Sequence, residues 1–198
     1  AMSHANVYIN GQKVGYWPYG YNSFHFDITK YLKPGEKNTL AVRLENLPES
    51  SRWYPGAGLY RNVHLIVTED AYIPVWGTYI TTPSVNEKFA KVNVLTKVVL
   101  PEGADPAKYS VETSVWNPNK QKLTAVRTSL AQMKYNNDQA EQEFVIQDPS
   151  LWSPEMPALY SAETRLYEGD KLKDVYTTPF GIRSIEIIPD KGFFLNGK

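Results

Sequence analysis

Short segments of alternating apolar and polar residues constrain the fold of this chain more than any other feature. In stretches such as VYIN, NTLAVRLEN and LYRNVHLIV the alternation lasts about four to eight residues, which is typical of half-buried strands. Pro, Gly and Asn-Gly turn signals separate these stretches. Sustained helical spacing is missing, apart from a weak pattern near residues 123–133. The sequence therefore predicts an all-β fold built from sandwiches.

The first part of the chain, residues 1–69, is predicted to be one β domain. A hairpin turns at Asn10-Gly11, the strongest two-residue turn signal, and one helical turn opens at Thr29. Three further strands are predicted at SFHFDI, NTLAVRLEN and LYRNVHLIVTE.

A domain boundary is predicted near residues 70–74, and the second domain extends to residue 181. Its seven predicted strands lie at about 77–83, 90–100, 109–116, 122–131, 141–145, 159–167 and 174–180. Seven short strands with regular turns indicate an immunoglobulin-like sandwich, and the absence of cysteine excludes the disulfide-bonded antibody type. Residues 182–198 are predicted to add one more strand and an Asn196-Gly197 turn.

Composition excludes several classes of partner and cofactor. Lys plus Arg and Asp plus Glu number 21 each, and this balance argues against a nucleic-acid partner. No apolar segment approaches the ~18 residues that span a bilayer, so no membrane contact is predicted. Without cysteine there is no thiolate site. No metal-binding HExxH motif, nucleophile elbow or phosphate-binding Gly loop is present, so we predict no metal and no cofactor.

The sequence also offers no catalytic pair. Glycoside hydrolysis usually needs two carboxyl groups that differ in protonation. The dipeptide Asn86-Glu87 is suggestive but lies in SVNEKF, a polar stretch that reads better as a turn. The three histidines, His4, His25 and His64, are far apart and best explained as solvent-facing strand residues. We therefore assign no catalytic residue.

One loop, SRWYPGAG, interrupts the strand pattern. Arg52, Trp53 and Tyr54 are large, Pro55 fixes its own φ, and the two glycines that follow supply bends. Such a loop either plugs the end of a sandwich or offers an aromatic ring and a guanidinium group to a ligand. A second aromatic stretch, with Trp17, Tyr19 and Tyr21, is interpreted as a packing or interdomain surface.

Three motifs in order resemble family 2 glycoside hydrolases, in the β-galactosidase-like branch. NGQKVGYWPYGYNSFHFDITKYLKPGEKNTLAVRLEN, followed by SRWYPGAGLYRNVHL, is similar to the second half of the family's sugar-binding jelly roll. LWSPEMPALY and PFGIRSIEI resemble the end of its immunoglobulin-like domain, and GFFLNGK resembles the lead-in to its (β/α)₈ barrel. The resemblance thus implies a partial jelly roll at 1–69, an immunoglobulin-like domain at 70–181 and a barrel lead-in at 182–198.

The resemblance implies that this chain is a non-catalytic fragment, because the two catalytic glutamates of the family lie on the barrel. The fragment alone is expected to be inactive. Its expected partners are the barrel and, through the parent enzyme, carbohydrate. Half a sandwich leaves apolar strand faces open, so self-association is also expected. The alternative is a free-standing carbohydrate-binding or adhesion module.

The resemblance also bears on the loop. Arg52 stands where some family members place a carboxylate that contacts the sugar. Arg52, Trp53 and Tyr54 are therefore candidate substrate-binding residues, the arginine through charge-assisted hydrogen bonds and the rings through stacking. The alternative is that the aromatic pair caps the sandwich or packs on the barrel. A β-galactoside is favoured over a β-glucuronide or β-mannoside, and the family suggests a periplasmic or extracellular location.

Overall fold

The structure, a computed structural model, describes residues 1–49, 56–132 and 138–198. The described residues are almost entirely β-structure and loops, which confirms the predicted all-β class. Two compact units form, residues 1–66 and residues 67–198.

The first unit contains a three-stranded antiparallel sheet in the order β2-β1-β3. Its strands are β1 (Ala5–Ile9), β2 (Gln12–Trp17) and β3 (Leu40–Arg43). Asn10 and Gly11 both have positive φ, as the predicted two-residue hairpin turn requires. The Asn10 side chain also donates to the Tyr31 carbonyl at 3.0 Å and accepts from the Thr39 N–H at 3.0 Å. The hairpin is therefore tied to the 3₁₀ turn Thr29–Tyr31 and to the residue preceding β3.

Two strands predicted in this unit do not form. Residues 23–28 and 59–69 make no ladder with any described residue, although Gly58 forms an isolated bridge with Met2. A strand exists only where a neighbour accepts and donates its backbone hydrogen bonds. β1 lies between β2 and β3, and neither segment pairs with the outer edge of β2 or of β3. The alternating side chains of 59–67 are consequently exposed, for example Leu65 at 72% and Val67 at 84%.

The second unit contains all seven predicted sandwich strands. They are β4 (Thr78–Val85), β5 (Phe89–Lys97), β6 (Tyr109–Trp116), β7 (Lys122–Ser129), β8 (Gln139–Gln147), β9 (Tyr160–Glu168) and β10 (Lys171–Phe180). Two antiparallel sheets result, β4-β5-β8 and β10-β9-β6-β7. Short 3₁₀ turns at Pro106–Lys108 and Leu130–Gln132 precede β6 and follow β7. This is the arrangement of an immunoglobulin-like sandwich.

The core of the sandwich consists of the inward residues of both sheets. One cluster is centred on Val92, Val94, Val115, Phe144 and Ile146, and a second on Ile73, Val111, Leu130 and Leu166. The two prolines within strands, Pro83 and Pro179, lie in β4 and β10, which are edge strands where a missing N–H is tolerated. Tyr160 at the start of β9 accepts a hydrogen bond from the Ser150 N–H at 2.8 Å, an arrangement like the tyrosine corner of such sandwiches.

The last residues form a hairpin, which corrects the sequence interpretation of a single strand. β11 (Ile185–Ile188) pairs with β12 (Gly192–Leu195), and the turn between them includes Asp190 with φ 63°. The Asn196 side chain accepts from the Ser184 N–H and donates to the Trp152 carbonyl, both at 3.0 Å. Asn196 thus joins the hairpin to the segment before β9 rather than serving only as a turn residue.

Candidate functional site

The predicted substrate-binding residues, Arg52, Trp53 and Tyr54, lie outside the described residues. The structure does describe both stems of their loop. Met2 and Gly58 exchange backbone hydrogen bonds at 3.1 and 3.3 Å. On the other side, the Glu45 N–H donates to the Ser3 carbonyl at 3.0 Å. Both stems are therefore held by the first residues of the chain.

Exposed tyrosines surround the stem at Gly58. Tyr60 donates its hydroxyl proton to the Gly20 carbonyl at 2.6 Å, which links the stem to the stretch Tyr19–Tyr21. The Tyr19 and Tyr21 rings meet edge to face with centroids 5.6 Å apart. About half of each of the three tyrosine side chains is exposed. We call Tyr19, Tyr21 and Tyr60 the tyrosine surface.

Gly20 leaves room for the Met2 side chain in this arrangement. It is buried, and a Cβ atom added there would lie 2.3 Å from the Met2 sulfur. The absence of a side chain thus lets the tyrosine surface approach the residue that holds the loop stem. The sequence pattern could not reveal this, because Tyr60 reads as one position of an alternating strand.

Trp17 plays a different role from the tyrosine surface. Its ring stacks on Phe24 with centroids 5.7 Å apart, and Phe24 contacts Phe26 at 5.6 Å. Phe26 in turn occupies the space over Gly15, where a Cβ atom would lie 2.3 Å from the ring. Trp17 is therefore a packing residue, as the sequence analysis prefers, whereas Tyr19 and Tyr21 remain accessible.

The dipeptide Asn86-Glu87 forms a turn between β4 and β5. The Asn86 side-chain oxygen accepts from the N–H groups of Lys88 and Phe89 at 2.8 and 2.9 Å. Glu87 is exposed at the tip of the turn. These contacts give the asparagine a local backbone function, as the turn interpretation requires.

Carboxyl groups with perturbed pKa in the described residues are held as anions. Hydrogen bonds lower the pKa of each of them, and these residues are Asp27, Glu69, Asp70 and Glu155. A general acid for glycoside cleavage needs the opposite shift, a carboxyl group that keeps its proton near neutral pH. These four carboxylates are thus unsuited to that role.

The shortest ion pair among the described residues joins the start of the second unit to β10. The Lys173 ammonium lies 2.7 Å from Glu69 and 3.0 Å from Asp70, and its side chain is only 7% exposed. These hydrogen bonds raise the pKa of Lys173 and lower the pKa of both carboxyl groups. Beside Lys173, the Asp174 carboxylate accepts a hydrogen bond from the Ile73 N–H at 2.8 Å. The evident function of this Lys173 cluster is to hold the segment that enters the sandwich.

Metal-binding geometry is missing from the described stretches, where no three His, Asp or Glu side chains converge as metal ligands. Among the histidines, His4 contacts the Tyr16 hydroxyl at 2.6 Å, and His25 and His64 are exposed. No helix within these same stretches is long and apolar enough to cross a bilayer.

Comparison with known proteins identifies the family of this all-β chain. The family model for Glycosyl hydrolases family 2 matches residues 72–183, which is more than half of the chain. The chain belongs to glycosyl hydrolases family 2. The matched range covers the seven sandwich strands and ends before β11.

Relatives of this family 2 chain include a β-galactosidase of Bacteroides ovatus, with 39% identity over 98% of the chain and 23% of the relative. A β-glucuronidase of Bacteroides fragilis is 34% identical over 99% of the chain and 30% of the relative. A solved family 2 structure from Bacteroides cellulosilyticus matches the whole chain with a TM-score of 0.88 at 32% identity, over 27% of its own length. The chain thus spans less than a third of the length of each of these proteins.

Proposed function

We propose that this chain is the accessory, non-catalytic part of a family 2 enzyme that hydrolyses β-glycosides. In this proposal residues 1–69 are part of a sugar-binding jelly roll, 70–181 the immunoglobulin-like domain and 182–198 the lead-in to the catalytic barrel. The segment supports the barrel and shapes its sugar subsite. The observation that carries the proposal is the tyrosine surface at the stem of the SRWYPGAG loop (residues 51–58, the 51–58 loop), because exposed tyrosine rings are suited to stacking on a sugar.

Three residues of the loop are proposed to shape the subsite. Arg52 would donate hydrogen bonds to sugar hydroxyls or to a carboxylate of the barrel. Trp53 and Tyr54 would stack on the apolar face of the sugar. The β-galactosidase of Bacteroides ovatus supports a β-galactoside as substrate, and the β-glucuronidase relative makes a β-glucuronide the competing choice.

Replacement of Trp53 tests this role in the full-length enzyme. Trp53→Ala should lower kcat/KM about tenfold or more, since a lost stacking contact is worth ~1 kcal/mol or more. The melting temperature should change little. Trp17→Ala is the matched control, because its ring packs on Phe24 and its loss should reduce stability instead. A large stability loss with unchanged kinetics for Trp53→Ala would reassign Trp53 to packing.

The isolated chain should be catalytically inactive. Its perturbed carboxyl groups have lowered pKa values and so do not supply a proton donor. The chain is incubated with chromogenic β-galactoside, β-glucuronide and β-mannoside, and no turnover is expected. Turnover that disappears on replacing a carboxylate of this chain would refute the proposal.

Self-association is the second part of the proposal. Residues 59–67 expose alternating apolar side chains, and Leu40 of β3 is also half exposed. Apolar surface of this kind favours association with a second chain. Sedimentation at several concentrations should therefore show reversible dimers or larger species of the isolated chain. Leu65→Lys and Val67→Lys together should shift the equilibrium towards the monomer.

A further inference from the structure

The outer face of the sandwich sheet β4-β5-β8 carries a cleft of about 330 Å³, formed by residues distant in sequence from the 51–58 loop. Its lining comes from all three strands of this sheet: Tyr79, Thr81, Asn93, Leu95, Gln139 and Glu141. The volume is at the lower end of the range found for small-molecule sites. Inward residues of the same strands, such as Val92 and Val94, fill the core. The cleft is therefore built on a rigid sheet rather than on loops.

Strand register places three kinds of side chain in one row. Tyr79 of β4 is opposite Leu95 of β5, and Leu95 is opposite Glu141 of β8. Cross-strand neighbours have Cβ atoms about 5 Å apart, so the row presents an aromatic ring, an apolar side chain and a carboxylate side by side. Tyr79 is 66% exposed. An exposed ring that continues into an apolar side chain can cover the C–H face of a small ring-shaped ligand.

The next row adds an amide with an unused acceptor. Asn93 is opposite Thr81 on one side and Glu143 on the other. The Asn93 side-chain oxygen is buried and accepts no hydrogen bond from any of the described residues. A buried acceptor without a donor is costly, so turning the Asn93 amide about its last side-chain torsion towards the cleft, where a ligand hydroxyl donates to it, would be favoured. The Glu141 carboxylate can accept further hydroxyl protons, and a hydrogen bond to a charged acceptor is stronger than a neutral one.

The charge of the lining residues restricts which chemical groups a ligand of the cleft can carry. Of the described residues that line the cleft, one is an acid and none is a base. Glu143, the outward neighbour of Glu141, is paired with Lys91 at 3.3 Å and is not part of the lining. The negative charge of Glu141 disfavours phosphate and carboxylate groups, whereas neutral hydroxyl groups can donate to this carboxylate.

We propose that this outer face of the immunoglobulin-like sandwich is a second saccharide-binding site, selective for neutral sugars over uronic acids. Tyr79 and Leu95 form the apolar platform, and Asn93 and Glu141 accept sugar hydroxyl protons. The site goes beyond the proposed subsite role of the 51–58 loop. It binds sugar without cleaving it and holds carbohydrate on a part of the protein that carries no catalytic residue.

The proposal is tested by titrating the 198-residue chain with methyl β-galactoside while backbone amide chemical shifts are recorded. Saturable shifts are expected in β4, β5 and β8, around Tyr79, Asn93 and Glu141. Methyl β-glucuronide should bind at least several-fold more weakly. Shifts confined to the tyrosine surface would assign sugar binding to the loop region alone and overturn the second site, as would the absence of saturable shifts.

Substitutions in the cleft test which side chains contact the sugar. Tyr79→Ala should weaken binding roughly tenfold, because an aromatic contact of this type corresponds to about one power of ten in affinity. Tyr79→Phe should retain most of the affinity, because the aromatic ring is kept. Glu141→Gln should reduce the ratio of the affinities for methyl β-galactoside and methyl β-glucuronide. Glu143→Gln is the matched control and should leave this ratio unchanged. Since Tyr79 is largely exposed, the melting temperature should be unchanged in both Tyr79 variants. Unaltered binding by Tyr79→Ala would overturn the assignment.

Discussion

Two segments with the same sequence pattern have opposite fates in this chain. In VNVLT, residues 92–96 of β5, the side chains of Val92, Val94 and Thr96 are fully buried. In VHLIV, residues 63–67, Val63, Leu65 and Val67 are exposed by 61%, 72% and 84%. The first segment lies between β4 and β8 and beneath an opposing sheet, while the second pairs with none of the described residues. An alternating pattern therefore specifies which faces can be buried, and a neighbouring strand and sheet decide whether they are.

The energetic consequence of the difference is large. Full burial of a valine or leucine side chain is worth about 1.5–3 kcal/mol, and the second unit contains two clusters of such residues. The first unit buries Ala5, Val7 and Ile9 of β1, but much of its remaining apolar surface stays accessible. We expect the stability of the described structure to reside mainly in the second unit.

Hydrogen exchange gives the largest contrast between the two segments. Amides in the centres of β5, β6 and β9 should open only by global unfolding, which costs about 5–15 kcal/mol in a typical domain. Amides of residues 59–66 should exchange nearly as fast as in an unstructured chain. The measurement is made at low concentration, where sedimentation confirms a monomer. Equal protection of both segments in a strictly monomeric chain would break the comparison.

One substitution made in both regions measures the difference in packing. Leu166 is fully buried, so Leu166→Ala should reduce the free energy of unfolding by about 2–5 kcal/mol. Leu65→Ala removes the same atoms from an exposed position and should change it by less than about 0.5 kcal/mol. Urea denaturation of the monomer measures both. Similar losses for the two variants would mean that residues 59–67 are packed in solution.

The Lys173 cluster should give the smallest effect and a characteristic pH dependence. Glu69 and Asp70 have lowered pKa values, so their contribution is present above the ordinary values of 4.5 and 3.8 and is lost as the pH falls below them. Lys173 has a raised pKa, so its contribution is present below 10.5 and is lost at higher pH.

Lys173→Met should accordingly lower the melting temperature modestly between these limits and have less effect in acid. Lys171→Met, at an exposed position 3.6 Å from Glu69, is the control and should have less effect at neutral pH. A pH-independent difference between the wild type and Lys173→Met would show that Lys173 acts through packing of its aliphatic chain.

Several features of the molecule could be predicted from local sequence. Asn10-Gly11 specifies its turn because both positions need positive φ, which these two residues tolerate best. The seven sandwich strands could be located because their inward residues alternate and Pro, Gly and Asn punctuate the connections. The turn role of Asn86 could likewise be predicted, since Asn favours turns, and its side-chain oxygen does accept from the N–H groups of Lys88 and Phe89.

Features that depend on contacts between distant segments could not be predicted in this way. Nothing local separates LYRNVHLIV from a true strand, because strand formation requires hydrogen bonds from another segment. By contrast, the hairpin of GFFL with Ile185–Ile188 is a local pairing, and the turn-forming residues Pro189, Asp190 and Gly192 between the strands could have revealed it. The hydrogen bond from Tyr60 to Gly20 joins residues 40 positions apart. The row of Tyr79, Leu95 and Glu141 combines side chains from three separate strands.

The sequence by itself determined the all-β class, the positions of the seven sandwich strands along the chain and the family, because these follow from local alternation, turn chemistry and ordered motifs. Only the tertiary structure decided which alternating segments are buried and which side chains share a surface. Burial requires an opposing sheet, and a site requires side chains from separate strands in register. Both conditions depend on how separate segments of the chain pack together, so a short stretch of sequence is not enough to predict them.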